Sequence, residues 1–455
     1  MRRLLLPIVP ILFALAGCNS SVTPFETATR ADQAPSPTAV PNLAPVLVGT
    51  ANSVGRSNAT LARDFMSLSF ALESGTQLSH LTRFEGPISV NLKGQASTTT
   101  RSDLQALLSR LRRESGINIV ATSDSNANIT MHLVSRAQIQ RAIPNAACFV
   151  APNVRSLSDY VSQRRSGTTS WSRLTERRVM SIFLPSDASP QEIRDCMHEE
   201  LAQALGPVND LYSLDNSVFN DDNMHATLTS FDMLMLRVHY APELKNGMNR
   251  YEVASRVPHI LARINPMGAG VNDETSAGIS SRWNEAVHTA LGAGVTASDR
   301  VRAAEQAVAI ANAENFEDVR LGYSYFVLGR VSMGLSKSKG KAAFVLADRA
   351  YAKLPNAGLQ RAFVAAQLGA LTLSDGDSAR TLSVVRPYMN IAKASGNSSL
   401  LSTLMLLEAE ALDLAGQASV ARSVRLDTQG WARYGFGSDK AVQARQQEIA
   451  LLSPR

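Results

Sequence analysis

Glu199-Glu200-Leu201-Ala202-Gln203-Ala204-Leu205-Gly206-Pro207-Val208-Asn209 gathers the residues of this chain best spaced for hydrolytic chemistry. Glu199 and Gln203 are four apart, so on a helix they share one face, as a chelating pair must. Glu200 stands beside them, where a general base would take a proton from a metal-bound water. Catalytic zinc takes three protein ligands, mostly imidazole, and keeps a fourth position for that water. The side chains here that could offer such donors are Glu199, Gln203 and, past the helix end, Asn209. One carboxylate and two neutral amides suit a harder ion such as Ca²⁺ or Mg²⁺, and hold it weakly because they offer so little charge. Asp210 can serve as third ligand in place of Asn209 and improves the count. Starting the pattern at His198 does not help, because Ala202 then falls at the second ligand. His198 reads as a packed histidine or one that supports a ligand from behind, and the spacings of His225 and His239 fit no ligand pattern.

The same side chains have a second reading. Glu199, Glu200, Gln203 and Asn209 can form a buried polar network that holds a helix against the following loop, each hydrogen-bonded rather than metallated. On that reading no cofactor is expected, a weakly held divalent metal being the exception. Other catalytic templates are missing: there is no G-x-S-x-G elbow, no P-loop and no C-x-x-C pair.

The elements around the motif are mixed α/β. Ile88 to Leu92, Ile117 to Val120, Ile129 to Val134 and Arg178 to Leu184 alternate or run apolar as strands. Leu104, Leu107, Leu108 and Leu111 set an amphipathic helix over 102–114. Ser189-Pro190-Gln191-Glu192 opens the motif helix with a capping serine, a proline at the first turn and a capping-box glutamate. Ile193, Met197, Glu200, Leu201 and Ala204 share one stripe, and Gly206-Pro207 ends the helix.

With these residues in view, the stretch resembles the zinc-binding helix of metzincin proteases, H-E-x-x-H-x-x-G-x-x-H, with Glu200 and Gly206 kept and the histidines exchanged. Asp215 to Asp221 resembles the turn beneath the metal in matrixins, with Phe219 where methionine is expected. Leu228-Thr229-Ser230-Phe231-Asp232 resembles the entry to their last helix. His198-Glu199-Glu200, Gln203, Leu205-Gly206, Asn209-Asp210, Ser217, Phe219-Asn220-Asp221 and Gly247-Met248 resemble an uncharacterised family of bacterial lipoproteins, over roughly residues 80 to 265. The resemblance implies a degenerate metzincin-like α+β domain over residues 60–265 and brings no established activity.

Arg2-Arg3, the apolar run Leu4 to Ala16 and Leu15-Ala16-Gly17-Cys18 make residues 1–17 a secretory signal. The ending resembles a lipobox, which implies lipidation of Cys18 and a bacterial envelope protein facing the periplasm. Asn19 at the next position favours the outer over the inner membrane. Residues 18–59 are rich in Pro, Ser, Thr and Ala and read as a disordered tether. With Cys18 lipidated, Cys148 and Cys196 are expected to pair as a disulfide in an oxidising compartment. The net charge of +6 is spread without a basic block interleaved with aromatics, so nucleic acid is not an expected partner.

From 280 to 455 strands give way to helices, one of them over 379–394, separated by Gly/Ser/Asn turns, including Ser338-Lys339-Gly340. Gly329, Ala343, Ala347, Ala350 and Pro355 approximate a tetratricopeptide repeat, so a helical-repeat domain is expected, a plain bundle being the alternative. Its concave face would take a peptide or partner protein. The chain as a whole reads as a membrane-anchored binding or scaffold protein. The alternative is a metal-dependent hydrolase of peptidase type with Glu200 as base.

Overall fold

The structure, a computed structural model, describes residues 55–271 and 280–454, together with the main chain of 28–31. The signal at 1–17, Cys18 and most of the tether lie outside the described residues. The N-terminal half carries a small mixed sheet. Five strands, β2 (Ile88–Lys93), β3 (Ile119–Ala121), β4 (Ile129–Val134), β5 (Ala146–Pro152) and β6 (Met180–Pro185), are joined at one edge by β1 (Ala28–Ala31). The order is β1-β5-β6-β4-β2-β3. β3, β2, β4 and β6 run parallel, whereas β5 and β1 are antiparallel to their neighbours. β1 falls inside the stretch read as tether, with Arg30 opposite Cys148.

Helices α1 (Asn58–Ser69), α2 (Thr98–Arg110), α3 (Arg136–Ala142), α4 (Leu157–Gln163), α5 (Pro190–Leu205), α6 (Ser230–His239) and α7 (Arg250–Ile264) complete this half. α2 runs into a π-helical turn, Leu111–Ser115, that Gly116 ends at φ 74°. The main core lies between the sheet and α1, α2, α5, α6 and α7, and includes Leu61, Phe65, Val90, Leu108, Ile182, Leu201 and Phe231. Its apolar side chains come from the faces that helical and strand periodicity put inward, which is where burial stabilises.

The C-terminal half is helical: α8 (Ser281–Leu291), α9 (Ala297–Ala313), α10 (Val319–Ser332), α11 (Lys337–Tyr351), α12 (Gly358–Ser374), α13 (Ser378–Val385), α14 (Met389–Ala394), α15 (Ser398–Leu414), α16 (Ala418–Phe436) and α17 (Asp439–Ala450). Chain neighbours pack on one another, α8 on α9, α9 on α10, α10 on α11 and α15 on α16. Small residues set the spacing. A Cβ on Gly329 would lie 2.6 Å from the Phe344 ring, and one on Gly435 would lie 2.5 Å from the Ser399 nitrogen. Two expected boundaries move. Ser338-Lys339-Gly340 lies inside α11, which Ser336 caps by accepting from the Lys339 N–H. The helix expected over 379–394 breaks at Pro387, which offers no N–H to the turn before it.

The halves meet along α5 and the loop that follows it. Gln191 donates to Asn397 Oδ1 at 3.1 Å and accepts from the Ser399 N–H at 2.9 Å. Tyr434 donates to Asp103 at 2.7 Å, and Arg194 lies 5.3 Å over the Tyr434 ring. Tyr212 and Met224, from the loop after α5, pack into the core of the helical half beside Trp283.

Candidate functional site

The motif helix starts and stops where the sequence predicts. Ser189 Oγ accepts from the Glu192 N–H, Pro190 sits in the first turn, and the Glu192 carboxylate meets Arg136 at 2.5 Å. Its faces differ from expectation. The residues from Ile193 to Leu205 are all buried, not one stripe alone. β5 and β6 cover one side, α2 another, and α16 of the helical half a third. Gly206 ends the helix at φ −164°, outside the left-handed region, so it is not needed for a left-handed turn. It is needed for space, because a Cβ there would lie 2.9 Å from the His239 ring.

The groups in ligand positions have separate partners. His198 is buried, and its Nδ1 accepts from the Leu228 N–H at 3.0 Å. Burial, with Arg194 and Arg110 nearby, holds its pKa well below the imidazole range, so the ring is neutral. Asn209 donates its amide to the Ser67 carbonyl at 3.0 Å. Gln203 donates to Asp210 Oδ2 at 3.4 Å, and its own buried Oε1 accepts no hydrogen bond. Glu200 is fully buried and Glu199 nearly so. One carboxylate and two amides, one amide already turned to a backbone carbonyl, do not fit catalytic zinc.

The loop following α5 gathers more acid. Burial, then Glu199, Glu73, Asp221 and Glu200, raise the Asp210 pKa well above the carboxylate range. Glu73 is pushed up to about 7 by burial and by Asp221, with His288 opposing. Tyr212 donates to Asp221 Oδ2 at 2.6 Å, and His288 Nε2 lies 3.3 Å from the same oxygen. Glu73, Asp210, Tyr212, Asn209, Asn284 and Arg320 line a pocket of about 80 Å³ here. The motif spacing points to Asp210, whereas no local spacing connects Glu73 and His288 to the motif.

Downstream, Asp232 locks the loop to the last helix of this half. It accepts from the Ser217 hydroxyl at 2.5 Å and from the Val218 and Thr229 N–H groups at 3.2 and 2.7 Å, in a capping box with Thr229 at the start of α6. Arg56 bridges Asp64 and Asp215 at 2.7 and 2.5 Å and lies 4.9 Å over Phe231, which fixes the other end of the loop.

His239 supplies a pH test of this core. Its ring is buried with Nε2 3.0 Å from the Thr82 carbonyl, and burial and Arg177 push its pKa down to about 3. An unfolded histidine protonates near 6.5. The folded pKa is the lower one, so the stability is present above pH 6.5 and is lost as pH falls toward 3. Asp232, raised to about 6, acts in the opposite sense. The readout is therefore the difference between the wild type and His239→Gln. Urea midpoints at pH 7, 5.5 and 4 should show the wild type losing up to about 1.4 kcal/mol per pH unit more than the variant. Parallel acid limbs would refute the assignment.

Residues 58–259 match the model of a family described as a protein of unknown function, DUF2927. No curated protein and no solved structure matches the chain. The disulfide expected between Cys148 and Cys196 is present, with Cα atoms 6.1 Å apart, and ties β5 to α5. Among the described residues, no helix is long and apolar enough to cross a membrane.

Proposed function

We propose that this protein is a lipid-anchored binding or scaffold protein of the bacterial envelope, built on a degenerate metzincin-like domain that no longer performs hydrolysis. The observation that carries this reading is the fate of the ligand positions. Asn209 is spent on the Ser67 carbonyl and Gln203 on Asp210, while His198 beside them accepts from the Leu228 N–H. Glu200 keeps the place of a base without three donors to hold a metal in front of it. The metzincin-like reading is supported by the order of β2, α2, β3 to β6 and α5, and by a buried Phe219 in the turn that follows.

The buried disulfide suits an oxidising compartment, and so supports export with a lipid anchor on Cys18 facing the periplasm, on the outer membrane. The stacked helix pairs support a tetratricopeptide-like repeat, whose grooves take a peptide or partner protein. The α/β half then acts as its platform, since the helical half is seated on α5 through Gln191 and on α2 through Asp103.

Two measurements test the proposal. Cells fed an alkyne palmitate should label the wild type in the membrane fraction and fail to label Cys18→Ser. The purified protein, incubated with unfolded protein and cell-wall peptide substrates, should cleave neither. Cleavage that disappears in Glu200→Gln would restore the peptidase reading.

A further inference from the structure

We propose that Glu73, Asp221 and His288, with Asp210 behind them, form a zinc-binding site at the seam between the α/β half and the helical half. Its three ligands are not the motif positions Glu199, Gln203 and Asn209, although Asn209 and Asp210 line the adjoining pocket, and the proposal does not depend on whether the domain hydrolyses anything.

The geometry comes first. One ligand atom from each of Glu73, Asp221 and His288 lies within 4.8 Å of the other two. His288 Nε2 is 3.3 Å from Asp221 Oδ2 and 4.0 Å from Glu73 Oε1. Zinc bonds of about 2.0–2.1 Å at a tetrahedral angle hold ligand atoms about 3.3 Å apart. The His288–Asp221 pair is already at that separation. Glu73 must close by somewhat less than 1 Å relative to the imidazole, a small swing for a half-buried carboxylate. Nε2 now faces the Asp221 carboxylate, and the ion would take the place of the proton shared there.

A second observation lies next to the cluster, in the pocket that Glu73 shares with Asp210 and that Asp221 and His288 do not line. Asp210 Oδ1 is shielded from solvent and accepts no hydrogen bond, although Oδ2 accepts one from Gln203. Asp210 and Glu73 line the same pocket, which has room for an ion with its water. Orphaned buried acceptors are costly, and a cation is what a carboxylate oxygen with no donor would take. Arg320, on the pocket wall, is already engaged: its guanidinium grips Asp318 at 2.7 Å and lies 3.5 Å over the Phe316 ring.

The donor set selects the ion. Ca²⁺ and Mg²⁺ want oxygen alone, whereas one imidazole with carboxylates is a borderline set that zinc accepts. The ligands come from three places: Glu73 follows α1, Asp221 follows α5, and His288 lies on α8. An ion held by all of them would clip the helical half to the loop after the motif helix.

The test is calorimetric titration of ZnCl₂ into the intact protein, purified without chelator or affinity metal, with melting curves taken in parallel. We expect one zinc per chain at micromolar affinity or tighter and a rise in melting temperature on binding. His288→Ala and Glu73→Gln should each weaken binding at least tenfold and remove the thermal shift, while remaining folded by circular dichroism. His259→Ala, which changes an exposed histidine on α7, should leave both unchanged. Three outcomes would overturn the site: no zinc bound, zinc bound as well by His288→Ala, or Ca²⁺ preferred with His288 indifferent.

Discussion

Arg177→Met should destabilise the protein by about 3–5 kcal/mol, because it orphans two buried carbonyls at the end of the motif helix. The guanidinium is almost fully buried and donates to the Gln203 and Gly206 carbonyls at 2.5 Å each, and to the Thr82 hydroxyl at 3.2 Å. The reason lies in the sequence. Gln203 would give its carbonyl to the N–H four residues on, but that residue is Pro207, which has none. Arg177, from the segment just before β6, supplies the missing donor, and its positive charge meets the negative end of the helix. Trp171 flanks the cation at 5.2 Å. Burial lowers its pKa to about 10, so it stays charged at neutral pH. Methionine fills similar space without donors, so the loss reports hydrogen bonds rather than packing. Arg177→Lys should fall between the two, since a point charge does not fork onto two carbonyls. Urea unfolding measures the effect, and a loss under about 1 kcal/mol would sink this account.

That dependence also marks what the sequence could and could not disclose. The ends of α5 were legible because Ser189-Pro190 and Gly206-Pro207 are local signals. The helices after residue 280 were legible because apolar and small residues recur at helical spacing and Gly-containing turns separate them. β5 was missed because Ala146-Ala147-Cys148-Phe149-Val150-Ala151-Pro152 is buried at every position, leaving no alternation to read. The role of Gly206 was misread: a turn was expected, whereas the constraint is the His239 ring arriving from α6. Arg177, Glu73 and His288 act at long range, and nothing in their own neighbourhoods announces a partner. Contacts made by tertiary packing leave no local pattern, which is why the motif helix was easier to locate than its surroundings.

Removing the disulfide should have an effect as large. The Cys148–Cys196 bridge closes a loop with a sequence separation of 48, for which the chain-entropy model gives about 4 kcal/mol. Both cysteines are fully buried in the main core, so Cys148→Ala/Cys196→Ala is the cleanest replacement; serine would add two buried hydroxyls. The bridge joins β5, antiparallel in an otherwise mostly parallel sheet, to the helix that carries Glu199, Glu200 and Gln203. β1 pairs with β5 opposite Cys148, so loosening β5 also loosens the sheet edge. The double variant should therefore unfold at clearly lower urea and expose β1 and β5 to hydrogen exchange before β2 and β4. Equal midpoints for variant and wild type would mean that packing around α5 suffices without the bridge. A large loss with zinc affinity unchanged would show that the seam formed by Glu73, Asp221 and His288 is organised by the helical half rather than by the sheet.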